Sequence, residues 1–192
     1  MARIVLFHSV YGPRPAVHAA AERLRAAGHE VTVPDLYDGR VVDDIEEGFE
    51  IREEIGNEEL LRRAVAAVAP LGRGLVYSGF SMGSSIAQTV ALGDEYAAGL
   101  LMFHGTSNLQ DDAATEISVQ LHVAEPDVYE TDDWLNAWYL RMLAAGADVE
   151  VFRYQGAGHL YTDPDLPDYD AEAAERTWAV ALAFLEELDA AS

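Results

Sequence analysis

The chain has 192 residues, 50% of them hydrophobic, a formal net charge of −22 at pH 7 and no cysteine. This length and composition suit a single globular domain over residues 1–192 with a sizeable core. The acidic charge argues against phosphate backbones and anionic membrane surfaces as partners, so we expect no nucleic acid and no membrane. The lack of cysteine excludes disulfides, thiolate metal sites and a cysteine nucleophile, and it agrees with a cytoplasmic location.

The first part of the chain alternates short apolar runs with helical patterns. Residues 4–7 are predicted to form a buried strand rather than part of a signal peptide. Pro15 begins a helix that Gly28 ends, which is the usual placement of these two residue types. Residues 30–34 form a second strand. Two acidic amphipathic segments follow, over residues 44–55 and 58–68.

The same alternation continues to the end of the chain. Four further strands are predicted over residues 75–77, 98–103, 117–123 and 149–154, and three further helices over residues 84–92, 132–145 and 169–188. Apolar strands alternating with helices predict an α/β fold with a mostly parallel central sheet and helices on both faces. In such a fold, functional residues collect at the carboxyl ends of the strands.

The sequence Gly-Phe-Ser-Met-Gly at residues 79–83 lies between a predicted strand and a predicted helix. This position is typical of a nucleophile elbow, where flanking glycines leave room for a tight turn. Ser81 would project from the sheet as a nucleophile, and the Met82 N–H would face a developing oxyanion. The alternative is a glycine-rich turn with an inert serine.

Of the six histidines, His159 is the candidate general base. It lies in a loop of small residues after the last strand and before the last helix, which gives the α/β-hydrolase order of serine, acid and histidine. An ordinary turn histidine is the alternative. His18 and His29 are predicted to lie at the surface, and His8 and His104 at strand ends. His122 is predicted to be a hydrogen-bonded histidine of the core.

The base needs an orienting acid, which is expected after the fifth strand. Asp132 and Asp133 begin a helix, so capping and the helix dipole explain them. Glu130 is predicted to be solvated. Asp127 is favoured as the acid, with Glu125 as the first alternative and a solvated loop without a catalytic acid as the second.

These residues together predict acyl transfer: Ser81 attacks a carbonyl, and His159 takes its proton. A backbone N–H near Val10 would join that of Met82 in the oxyanion hole. The histidines lack the spacing of metal ligands, so we expect no metal and no cofactor. We expect an apolar substrate pocket lined by Tyr11, Phe80, Tyr161 and His104, with packing in the core as the alternative for Phe80.

Five stretches carry a family resemblance: IVLFHSVYGPRP, VTVPDLYDGR, GFSMGSSIAQ, VQLHVAEPD and GAGHLYTDP. Through them nearly the whole chain resembles the dienelactone hydrolase family. The resemblance implies a compact α/β-hydrolase fold without a large lid, hydrolysis of an ester or lactone, and no cofactor. By position, it implies Ser81, Asp127 and His159 as the triad, and Met82 and Val10 as oxyanion donors.

Three positions depart from the members that cleave dienelactone. Those members have a cysteine nucleophile where this chain has Ser81, and a glutamate where it has Ser9. They also carry an arginine just after the catalytic histidine, whereas residues 160–163 contain none. The departures favour a general serine esterase, acting on small carboxylic esters or lactones, over cleavage of dienelactone itself. The chain starts at a core strand, so we expect no leading antiparallel strands.

Other functions stay open at this point. A thioesterase, an acyltransferase or a perhydrolase would use the same triad, because an acyl-serine reacts with nucleophiles besides water. A non-catalytic binding protein on the same scaffold is an alternative from another class. The sequence does not set the oligomeric state, and a homo-oligomer stays open.

Overall fold

The computed structural model describes residues 1–191. The strands are β1 (Arg3–Phe7), β2 (Glu30–Thr32), β3 (Leu75–Phe80), β4 (Gly99–Phe103), β5 (Ser118–Glu125) and β6 (Asp148–Gln155). The helices are α1 (Pro15–Ala26), α2 (Ile45–Ile55), α3 (Asn57–Val68), α4 (Met82–Leu92), α5 (Asp132–Ala144) and α6 (Ala171–Ala191). A short 3-10 helix at Ala69–Leu71 follows α3. Within this described part of the chain, no helix is both long and apolar enough to cross a bilayer.

The six strands form one sheet in the order β2-β1-β3-β4-β5-β6, and every pair is parallel. The register aligns the carboxyl ends of the central strands, with Phe7 beside Gly79 and Phe80 beside Phe103. The loops that leave these strands therefore meet at one edge of the sheet, where parallel α/β folds build their sites.

Different helices cover the two faces of the sheet. Val5 and Phe7 of β1 belong to the core that includes α3, α4 and α5, whereas Ile4 and Leu6 belong to the core that includes α1 and α6. This division follows from the alternation of side chains along a strand. No separate lid domain is inserted between the elements of residues 1–191. The predicted parallel α/β fold with helices on both faces is confirmed.

Several element boundaries differ from those predicted. β3 continues to Phe80 and α4 begins at Met82, so the turn between them narrows to Ser81. β2 ends at Thr32, two residues early. The surface prediction for His29 is wrong: its side chain is buried, and its Nδ1 accepts a hydrogen bond from the N–H of Ala2 at 3.2 Å. That bond supplies a partner for an amide at the start of the sheet.

Candidate active site

Ser81 occupies a strained backbone conformation between β3 and α4. Its φ of 50° and ψ of −111° lie in a region that non-glycine residues rarely adopt. The Ser81 N–H donates to the carbonyl of Phe103 at 2.8 Å, and the Ser81 carbonyl accepts from Ser85 N–H at 3.1 Å. The neighbouring strand and the first turn of α4 thus hold the serine at the carboxyl edge of the sheet.

The glycines around Ser81 are required by close backbone contacts. A Cβ on Gly79 would lie 2.3 Å from the carbonyl carbon of Gly83, and a Cβ on Gly83 would lie 2.4 Å from the carbonyl oxygen of Phe7. Gly105, which the sequence did not single out, would place a Cβ 2.5 Å from the carbonyl oxygen of Ser81. Cβ atoms are not found at such short distances from backbone atoms. This backbone conformation around Ser81 therefore requires glycine at all three positions.

A continuous chain of hydrogen bonds joins Ser81, His159 and Asp127. Ser81 Oγ lies 2.9 Å from His159 Nε2, and His159 Nδ1 lies 2.8 Å from Asp127 Oδ2. The second oxygen of Asp127 accepts from the N–H groups of Tyr129 and Glu130 at 2.8 and 3.1 Å. Burial by itself raises the pKa of Asp127, but the hydrogen bond and charge of His159 and the two amides outweigh it, so the pKa is lowered.

The competing acid, Glu125, points elsewhere. Its Oε2 accepts a hydrogen bond from Gln155 Nε2, and its Oε1 lies 3.9 Å from Arg153. The structure therefore brings Asp127, and not Glu125, to His159.

The two predicted oxyanion donors, Met82 and Val10, lie beside Ser81. Met82 is the first residue of α4, and the N–H at this position has no carbonyl partner within a helix. The Val10 N–H donates no hydrogen bond within residues 1–191. Both residues line the same cavity as Ser81. Two amides without acceptors thus lie near the serine, one of them at the positive end of a helix dipole.

This cavity has a volume of about 340 Å³ and opens between α2, α3 and α4. Ser81 and His159 lie in its wall, with Arg52 and Glu130 as its charged residues. Besides Val10 and Met82, the apolar part of the wall includes Ile45, Phe49, Leu60, Leu61, Ile86 and Leu160. Such a space can hold a small molecule whose apolar part packs against α2 and α3 while a carbonyl faces the serine.

The four residues predicted to line the pocket lie outside this cavity, and the structure corrects that prediction. Phe80 is the last residue of β3, and strand alternation directs its ring to the α1/α6 face, where it stacks on Phe103 at 5.1 Å. Tyr11 is buried beneath the guanidinium of Arg14, which lies 5.2 Å from its ring centre.

The remaining two are packed behind the site. Tyr161 is fully buried, with its hydroxyl 2.7 Å from Thr177 Oγ1. His104 is also fully buried, and its Nε2 lies 2.7 Å from Thr162 Oγ1. Both residues support the loop that carries His159 rather than the space beside it.

Glu130 and the residues of α2 are not predicted from the sequence to be part of the cavity wall beside Ser81. Glu130 was predicted to be solvated, but it is buried and its carboxylate accepts two hydrogen bonds from Thr106. Its partner is distant in sequence, so no local pattern reveals it. The α2 wall had a signal: Ile45, Phe49 and Arg52 share one face at helical spacing.

No metal centre is evident beside these residues. Among residues 1–191, no group of three or more histidine, aspartate or glutamate side chains could hold a metal ion.

Structural comparison finds solved proteins with this fold. A dienelactone hydrolase-like promiscuous phosphotriesterase from metagenomic libraries has a TM-score of 0.85 at 22% identity, covering 98% of this chain and 87% of that one. A dienelactone hydrolase-like protein of Klebsiella pneumoniae gives 0.79 at 18% identity, with 95% and 85% covered. Esterase 2 of Thermogutta terrifontis, phosphonylated by cyclosarin, gives 0.72 at 17% identity, with 97% and 83% covered. At these identities the likeness establishes the fold.

Comparison by sequence adds one curated relative and a family. The relative is an uncharacterised protein of Caenorhabditis elegans, 28% identical over 99 residues, an alignment that spans 46% of this chain and 63% of that protein's length. The model of the dienelactone hydrolase family matches residues 1–188. The chain therefore belongs to the dienelactone hydrolase family.

Proposed function

We propose that this protein is a serine hydrolase that cleaves small carboxylic esters or lactones through an acyl-enzyme formed on Ser81. The observation that carries the proposal is the unbroken hydrogen-bonded chain from Ser81 Oγ through His159 to Asp127, at 2.9 and 2.8 Å. Membership of a hydrolase family supports the same reaction class.

Each group has a defined step in this mechanism. His159 Nε2 takes the proton from Ser81 Oγ as that oxygen attacks the substrate carbonyl. Asp127 accepts from Nδ1, which fixes the ring tautomer, and its lowered pKa keeps it ionised beside the imidazolium. The N–H groups of Met82 and Val10 stabilise the oxyanion. The imidazolium then protonates the departing alkoxide, and a water molecule, activated by the same ring, hydrolyses the acyl-serine.

The cavity supports small substrates. Its volume of about 340 Å³ is at the lower end of the range for small-molecule sites, which begins near roughly 300 Å³. Its apolar wall on α2 and α3 suits a short acyl chain or a lactone ring. We therefore expect turnover to be highest with short-chain esters and to fall for acyl groups that exceed the cavity.

The test compares the wild-type protein with Ser81→Ala, and with Ser118→Ala as a matched control away from the cavity. Turnover is measured with p-nitrophenyl esters of increasing acyl length, with a simple lactone and with dienelactone. A fluorophosphonate probe, detected by intact mass, reports the nucleophile directly. We expect turnover and one covalent adduct in the wild type and in Ser118→Ala, and neither in Ser81→Ala.

The same experiment separates the alternatives. Faster acyl transfer to a thiol, an alcohol or hydrogen peroxide than to water would identify a transferase or perhydrolase on the same serine. Equal background turnover and no adduct in all three proteins would reject the serine mechanism and leave a binding protein on a hydrolase scaffold.

A further inference from the structure

A second cavity lies on the opposite face of the sheet from the first. It has a volume of about 160 Å³ and opens between α1 and α6. Val17 and Ala20 of α1 line one side, and Ala174 and Trp178 of α6 line the other. Leu160, the residue after His159, lies in the wall of both cavities. The two spaces therefore flank the candidate active site from opposite sides.

We infer that this α1/α6 cavity is a binding site for a small uncharged molecule with one aromatic ring. Its floor is aromatic: the rings of Phe80 and Trp178 meet edge to face, with centroids 6.5 Å apart. A third ring can extend this arrangement, because aromatic pairs favour such offset contacts.

The size of the cavity matches a single ring. For scale, an engineered apolar cavity of about 150 Å³ in another protein holds one benzene molecule. The volume here, about 160 Å³, is close to that value. The hydroxyls of Ser9 and Thr162 also line the cavity, so it offers hydrogen-bonding groups for a ring that carries a hydroxyl.

The charges around the cavity favour a neutral ligand. Arg23 and Glu175 at its rim are already joined by two hydrogen bonds of 2.7 and 2.6 Å. An ionic ligand would compete with the Arg23–Glu175 pair, and the net charge of −22 would further repel an anion.

Benzyl alcohol is the probe for this site, and the binding measurements use Ser81→Ala so that the result does not depend on turnover. We expect the melting temperature of Ser81→Ala to rise and saturate with benzyl alcohol, because a ligand that binds only the folded state stabilises it. Adding Ala20→Leu fills the cavity and should abolish the rise. Adding Ala26→Leu, at an exposed position of the same helix, should leave it unchanged.

Two further measurements test the inference if the Ala20→Leu variant does not fold. Ala174→Leu fills the cavity from α6 instead of α1, and intermolecular NOEs between benzyl alcohol and the Trp178 indole locate the ligand without filling the cavity. Benzoate, the anionic analogue, should bind at least tenfold more weakly. No saturable binding, equal binding to folded Ala20→Leu, or NOEs to residues of the larger cavity alone would overturn the inference, whatever the esterase assay gives.

Discussion

Glu130 and Thr106 are joined by two hydrogen bonds, from the Thr106 N–H to Oε1 at 3.0 Å and from the Thr106 hydroxyl to Oε2 at 2.6 Å. The Thr106 carbonyl accepts in turn from Ser85 Oγ of α4 at 2.5 Å, and the Glu130 N–H donates to Asp127. This pair thus connects the loop that carries Asp127 to the helix that follows Ser81. Burial raises the pKa of Glu130, while the two Thr106 bonds act in the opposite direction.

Replacing Glu130 with glutamine should destabilise the protein. An amide keeps one acceptor oxygen, so one Thr106 donor loses its partner in a buried site, at a cost of about 1–3 kcal/mol. Urea unfolding measures the loss of free energy, and kcat should fall with it as Asp127 shifts. Glu125→Gln, at a half-buried carboxylate outside this network, should change stability by less than about 0.5 kcal/mol. Equal effects of the two variants would show that the Thr106 pair contributes nothing specific.

The choice of Asp127 over Glu125 can be tested through kcat. Asp127→Asn keeps the size of the side chain but can present an N–H to His159 Nδ1, which favours the wrong ring tautomer. If the proposed triad operates, kcat for a p-nitrophenyl ester should fall by about 10⁴-fold, as for the matching change in an established serine triad. Glu125→Gln should retain kcat within about threefold, because its carboxylate contacts Gln155 and not the histidine. A large loss in Glu125→Gln with little in Asp127→Asn would reverse the assignment.

What the sequence could predict about this site depends on how local each signal is. Ser81 and His159 follow from chain order, because each lies on a loop at the carboxyl edge of a parallel sheet. The direction of Phe80 does not follow in the same way. The sequence pattern predicts Phe80 within a turn, but β3 continues through this residue. Strand alternation then directs the Phe80 ring to the α1/α6 face, away from the cavity beside Ser81.

The wall of the cavity beside Ser81 depends on contacts between residues that are distant in sequence. Glu130 meets Thr106 across 24 positions, and nothing in the acidic run around it distinguishes a buried carboxylate from a solvated one. The amphipathic pattern of α2 was visible, but an apolar helical face shows only that the helix packs on something. The position of α2 over Ser81 is set by tertiary packing, which the local sequence pattern does not show.

Gly83→Ala should disrupt the Ser81 turn. The added Cβ would lie 2.4 Å from the carbonyl oxygen of Phe7, a backbone atom that cannot move aside without displacing β1. We expect a loss of stability of roughly 1–3 kcal/mol from overpacking and a large loss of fluorophosphonate labelling. Gly93→Ala, at the other end of α4, meets only contacts of 3.5 Å and longer and should label normally. Normal labelling and stability in Gly83→Ala would show that the turn tolerates a side chain.

The buried histidine of β5 should make the fold sensitive to acid. His122 Nδ1 lies 2.9 Å from the Tyr154 hydroxyl and Nε2 lies 3.0 Å from Gln120 Oε1, and burial lowers its pKa from 6.5 to about 3. Between these pH values the unfolded chain binds a proton that the folded protein does not. The free energy of unfolding therefore falls as pH decreases through this window, by at most about 1.4 kcal/mol per pH unit from this group.

The test of this role of His122 is urea unfolding measured from pH 7 to pH 4. The free energy of unfolding should decrease less steeply with falling pH in His122→Gln than in the wild type. His18→Gln, at an exposed site of α1, should follow the wild-type slope, and identical slopes in all three proteins would refute the assignment to His122.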